Sequence, residues 1–147
     1  MIVMKFGGTS VGSTDRMRAV AEVIASRIEE RPVVVVSAMA GVTNELGSLL
    51  SLALAGDRRV LTERLDALRQ RHMAVAAELA PEEAALATRL DRRFRELRVL
   101  LRGVRLLGSA KPRSRDAILG FGELFSQELL TVELQRRGTC AEMIFSG

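Results

Sequence analysis

MIVMKFGGTSVG (residues 1–12) and PVVVV (residues 32–36), with a helical pattern between them, decide the fold class. MIVMKF is apolar apart from Lys5 and suits a strand. GGTSVG cannot continue that strand, because three glycines in six residues mark a tight turn. Ser13 or Thr14 can cap a following helix, with Asp15 in its first turn. Met17, Val20, Ala21, Ile24 and Ile28 then recur at helical spacing until Pro32 closes the segment. Val33–Val36 is β-branched without alternation, the pattern of a strand buried on both faces in a parallel sheet. Strand, glycine turn, helix and buried strand make a right-handed βαβ unit.

Outward from this unit, the loop Ser37–Thr43 leads into a helix that Thr43 or Asn44 can cap and that stops at Gly56. Gly47 inside it costs about 1 kcal/mol relative to alanine. Leu61, Leu65, Leu68, His72, Val75 and Leu79 are spaced alternately four and three apart. Pro81 breaks the run, and Glu82 and Glu83 mark a new helix start. Leu86, Leu90, Phe94, Leu97, Leu101 and Val104 repeat the spacing, which predicts an antiparallel helical hairpin over about 58–107. After a connector at 108–112, a helix beginning at Ser114 or Arg115 runs to about Arg137, where Gly138 stops it. TCAEMIF (139–145) reads as a third strand, with Ala141, Met143 and Phe145 on one face. The expected architecture is a three-layer α/β sandwich with a mainly parallel sheet, incomplete at three strands, plus the hairpin as a helical lobe.

The composition agrees with one packed domain: 147 residues, 48% hydrophobic and 27% charged. A single cysteine, Cys140, excludes a disulfide framework, and one cysteine with one histidine, His72, excludes a standard zinc site. Gly7–Ser10 interrupt the apolar start too early for a signal peptide, and no run approaches the length of a membrane helix. A cytoplasmic protein without membrane contact is the expectation. The net charge is +4, and only Lys5 and Lys111 of the 22 basic residues are lysines. Arg89, Arg92, Arg95, Arg98, Arg102 and Arg105 form a helical stripe, but Asp91 and Glu96 dilute it and no Tyr or Trp could stack on bases. The stripe therefore reads as a solvated face and not a nucleic-acid surface. His72 on the leucine seam and Cys140 in an apolar segment read as packed residues.

Two loops can carry chemistry. Lys5 ends the first strand, the amides of Gly7 and Gly8 can approach an anion without an intervening Cβ, and the next helix adds its positive end. This suits phosphate, although neither the P-loop nor the dinucleotide fingerprint is present; a glycine turn without a ligand is the other reading. Ser37, Gly41, Thr43 and Asn44 gather at the carboxyl end of the second strand, where ligands of open α/β sheets collect. Their hydroxyls and amide suit a carboxylate. Helix capping would explain Thr43 or Asn44 equally well.

KFGGTSVG (5–12) resembles the N-terminal signature of the aspartokinases of the amino-acid kinase superfamily. SAMAGVTN (37–44) is similar to the second motif of that family. Gly122-Glu123, with Arg115-Asp116 before it and Ser126 after it, is similar to the third. The resemblance spans the chain and implies transfer of the γ-phosphoryl of ATP, carried with Mg2+, to the β-carboxylate of L-aspartate, giving 4-phospho-L-aspartate. It implies Lys5 as the catalytic cation, with Gly7, Gly8, Thr9 and Ser10 on the ATP phosphates. Ser37 and Thr43 would orient aspartate, and Glu123 would pair with its ammonium. No residue here is implied as a metal ligand. Family members are longer, so 1–147 is expected to be the substrate-side portion, without the nucleotide-binding half and the regulatory ACT domains. A homo-oligomer is expected from the unfinished sheet. Rival readings are another small-acid kinase of the superfamily, or a binding module without turnover.

Overall fold

In the computed structural model, which describes residues 1–144, β1 (Ile2–Phe6) and β2 (Pro32–Val36) form a parallel pair. The register sets Val3 opposite Val33 and Lys5 opposite Val35. Between them α1 (Thr14–Ser26) starts where the sequence indicates, with Ser13 as its cap accepting from the Arg16 amide at 3.3 Å. Such a cap stabilises by about 1 kcal/mol. Met17, Val20, Ala21 and Ile24 are buried as the period requires, whereas Ile28 falls in a short 3-10 turn and is exposed.

Four more helices follow: α2 (Val42–Leu54), α3 (Arg58–Leu79), α4 (Ala84–Leu107) and α5 (Pro112–Arg136). The expected hairpin is α3 and α4, and every leucine-seam residue predicted for it is buried. The seam packs on α5 through Phe94, which stacks on Phe125 with centroids 4.2 Å apart. His72 lies edge-on to both rings. It is fully buried and donates from Nδ1 to the Leu68 carbonyl at 2.9 Å. Burial lowers its pKa to about 4.

Charged anchors hold the hairpin to the body. Glu128 on α5 is buried and receives Arg89 at 3.0 Å and Arg93 at 3.3 Å from α4. Arg18 on α1 donates to the Glu78 carbonyl at 2.7 Å, at the end of α3. Arg136 donates to the neighbouring Leu79 carbonyl and to Glu82. Most of the arginine stripe is solvated as expected, but Arg89, with Arg93 from outside the stripe, pairs with a buried carboxylate.

Several expectations change. Cys140, read as packed, is exposed, and α5 starts at Pro112, ahead of Ser114 and Arg115. The helix α2 begins earlier, at Val42, and its cap is Gly41 at φ +81° with no side-chain capping bond, so neither Thr43 nor Asn44 is the cap. The strand β2 is not buried on both faces: Val34 packs on the core, while Val33 and Val35 are 38% and 46% exposed, beside Val3 at 69%. The helices leave that face uncovered. Finally, no strand forms over 139–144, and Phe145 lies outside the described residues. The Gln135 side chain donates to the Ala141 carbonyl at 2.8 Å and the Thr139 amide returns to the Leu134 carbonyl, which ties this segment to the end of α5. A groove of about 510 Å3 opens beside it, lined by β2 and residues of 139–144. The sheet is thus a two-stranded parallel one among the described residues, within an α/β fold.

Candidate functional site

The two loops at the carboxyl ends of β1 and β2 are packed on one another and on α5. An ideal Cβ built on Gly8 would lie 2.9 Å from the Ala38 carbonyl oxygen and 3.6 Å from the Ala40 backbone. Real side chains do not tolerate that approach, so a glycine is required where the first loop crosses the second. A Cβ on Gly122 would fall 2.5 Å from the Ala38 Cβ, 3.3 Å from Val42 and 3.4 Å from Leu46. Two missing side chains therefore let three segments distant in sequence meet around Ala38, which is itself buried.

Each segment is held locally. The Ser10 amide donates to the Gly7 carbonyl at 3.0 Å, closing the first turn, and Val11 is fully buried beneath it. Arg16 reaches back from α1 to the Thr9 carbonyl at 3.1 Å. The amides of Gly8 and Thr9 find no partner among the described residues, and donors left open in a glycine loop suit an anion. The second loop continues the ladder, with the Ser37 amide donating to the Phe6 carbonyl at 3.0 Å. Met39 and Val42 bury on either side of Gly41, whose left-handed conformation turns the chain into α2.

Gly7, Gly8, Thr9 and Ser10 lie in the first loop, and Ser37 opens the second. Glu123, half-buried on α5, follows directly on the close-packed Gly122. Thr43 is exposed in the first turn of α2, its hydroxyl not spent on capping. Lys5 stands outside the three-way contact, on the open face of the sheet with Val35 opposite. No ion pair holds it among the described residues, so its ammonium is available to a phosphate. Lys5 and the open amides of Gly8 and Thr9 are groups that can meet an anion, and Ser37, Thr43 and Glu123 are polar groups on the neighbouring segments. No described cluster of three or more His, Cys, Asp or Glu residues could hold a metal ion, and no described helix is long and apolar enough to cross a membrane.

Residue types alone did not mark Ala38 as the hub, nor Arg16 as the anchor of the first loop. The signal for Ala38 was the pair of small residues, Ala38 and Gly122, inside two separate motifs.

A parallel β-α-β unit whose two loops meet at the carboxyl ends of the strands is the frame of an α/β kinase family, and the chain is a member of it, the amino acid kinase family, whose model matches residues 1–146. Within that family its relatives are aspartokinases. Aspartokinase 3, chloroplastic, of Arabidopsis thaliana is 39% identical over 144 residues, covering 92% of this chain and 24% of that protein. The bifunctional aspartokinase/homoserine dehydrogenase, chloroplastic, of Daucus carota is 37% identical over 138 residues, covering 92% and 15%. The structure of E. coli aspartokinase III in complex with aspartate and ADP superposes with a TM-score of 0.82 at 31% identity, covering 97% of this chain and 30% of that one. The chain thus spans less than a third of the length of these relatives.

Proposed function

We propose that this chain supplies the aspartate-binding and phosphate-binding loops of an aspartate kinase, the reaction in which the β-carboxylate of L-aspartate attacks the γ-phosphorus of ATP. The new P–O bond forms as the bond to the ADP oxygen breaks, giving 4-phospho-L-aspartate and ADP. The observation that carries this reading is the convergence of the two loops and α5 around Ala38, made possible by Gly8 and Gly122. The likeness to a structure holding aspartate and ADP supports it.

Such a transfer depends on positioning and charge neutralisation more than on covalent help from the protein. In the first loop, Gly7 to Ser10, the open amides of Gly8 and Thr9 hold phosphoryl oxygens, and Lys5 neutralises charge on the transferred group. Magnesium would be supplied with ATP and would offset phosphate charge, with no residue of 1–147 assigned to hold it. Ser37 and Thr43 donate to the aspartate carboxylate, and Glu123 accepts its ammonium. The isolated 147 residues bind substrate but do not place the adenine and ribose, so they turn over at background rate. The uncovered sheet face favours self-association, and the cytoplasm is the proposed compartment.

Calorimetry with the purified chain tests the reading. L-Aspartate should bind, glutamate and N-acetylglutamate should bind far more weakly, and Glu123→Ala should abolish the aspartate heat. Preference for N-acetylglutamate would assign the chain to another small-acid kinase, and absence of aspartate binding would overturn the proposal.

A further inference from the structure

Glu45 is the only ionisable side chain on α2, and it stands in the first turn, two residues after Thr43. An acidic residue there ordinarily serves the helix terminus. Here its carboxylate faces α3 and accepts two hydrogen bonds from Arg64, 3.0 Å from Nε to Oε1 and 2.8 Å from Nη2 to Oε2. A two-pronged guanidinium–carboxylate contact fixes orientation as well as distance, which apolar packing does not. On an adjacent face of the same turn, Val42 and Leu46 are buried near Gly122 of α5. The turn is therefore held along two neighbouring faces, and Thr43 and Asn44 lie on its remaining, exposed side.

The pair adds little to global stability. The side chains are 42% and 30% exposed, and ion pairs at such exposure contribute modestly. Its geometry suits local orientation, and it connects the hairpin lobe to the loop that the aspartate reading uses.

We propose that Arg64, a residue of the helical lobe, is a positioning residue: its fork on Glu45 holds the first turn of α2 so that Thr43 and Asn44 meet the substrate carboxylate. The ligand named here rests on the proposed aspartate function, whereas the brace itself does not. The lobe thereby acts on the site through one directional contact, without touching substrate.

Two variants separate the fork from charge and bulk. Arg64→Leu keeps the apolar stem, and Arg64→Lys keeps the charge without the fork. In the 147-residue chain, hydrogen exchange at residues 42–46 should quicken about threefold in both variants, with β1 and α5 unchanged. The dissociation constant for L-aspartate, read by calorimetry, should rise by about the same factor. The exchanged pair Glu45→Arg with Arg64→Glu should restore both readouts toward those of the unsubstituted chain. Unchanged exchange at 42–46 overturns the brace, as does faster exchange spread equally over β1 and α5. Faster local exchange with unaltered aspartate affinity overturns the positioning role. If the unsubstituted chain takes up no aspartate, the substrate reading fails and the exchange data alone decide the brace.

Discussion

Replacing Gly122 with alanine places a Cβ 2.5 Å from the Ala38 Cβ. Carbon atoms rest about 3.5–4 Å apart, so α5 and the second loop must separate by about 1 Å. Neither atom can rotate away, because each is fixed to its own backbone. Overpacking of this kind costs about 1–3 kcal/mol. Against it stands the helix propensity of alanine over glycine, about 1 kcal/mol in favour of the variant. Gly120 is the internal control. It lies in the same helix, and a Cβ there meets nothing within 4 Å, so Gly120→Ala collects the propensity gain alone. Gly120→Ala should therefore raise stability by up to about 1 kcal/mol. Gly122→Ala should fall below Gly120→Ala by about 1–3 kcal/mol, which is the overpacking term with propensity cancelled. Urea unfolding followed by circular dichroism at 222 nm measures both. Because the displacement moves Glu123 away from Ser37, Gly122→Ala should also weaken aspartate binding, whereas Gly120→Ala should not. Equal stability of the two variants would refute the close approach of α5 to the loop, and with it the geometric basis of the site.

Lys5→Ala in an active kinase containing this chain should chiefly lower kcat, since its charge matters most as charge shifts during transfer; a normal kcat with only a raised KM for aspartate would reject that role. Glu123→Ala should weaken aspartate far more than ATP, and equal losses in the two binding isotherms would remove it from the ammonium. His72 is neutral in the fold, with a pKa lowered to about 4 from 6.5, so the unfolded chain takes up a proton first as pH falls. Its contribution is fully present above pH 6.5 and is lost progressively between 6.5 and about 4, amounting to about 3 kcal/mol. Denaturant midpoints across that range should fall, and His72→Phe should flatten the decline. A slope unchanged by His72→Phe would show that other groups cause it.

Local chemistry made much of the molecule legible in advance. Ser13 capped α1 because its hydroxyl satisfies a backbone donor next to it in the chain. The leucine seams of α3 and α4 were readable because helical periodicity is a local signal and each seam needs only its neighbour to bury it. The motifs at Lys5–Gly12, Ser37–Asn44 and Gly122–Glu123 were legible as motifs, and the amino acid kinase superfamily they point to is the one to which the chain belongs. Burial of β2 on both faces and a strand over 139–144 were not decidable locally. Each depends on whether another layer or strand arrives alongside, and in the described residues one face of Val33 and Val35 stays open and Gln135 holds Ala141 to α5. The start of α2 at Gly41 likewise came from the need to turn the chain beneath α5, not from the capping power of Thr43. The sequence by itself determined the five helices, the first two strands and the family motifs, because those follow from side chains a few positions apart. Only the tertiary structure decided that Gly8, Ala38 and Gly122 meet and that Arg64 reaches Glu45, because close approach between segments far apart in sequence is a property of packed backbones.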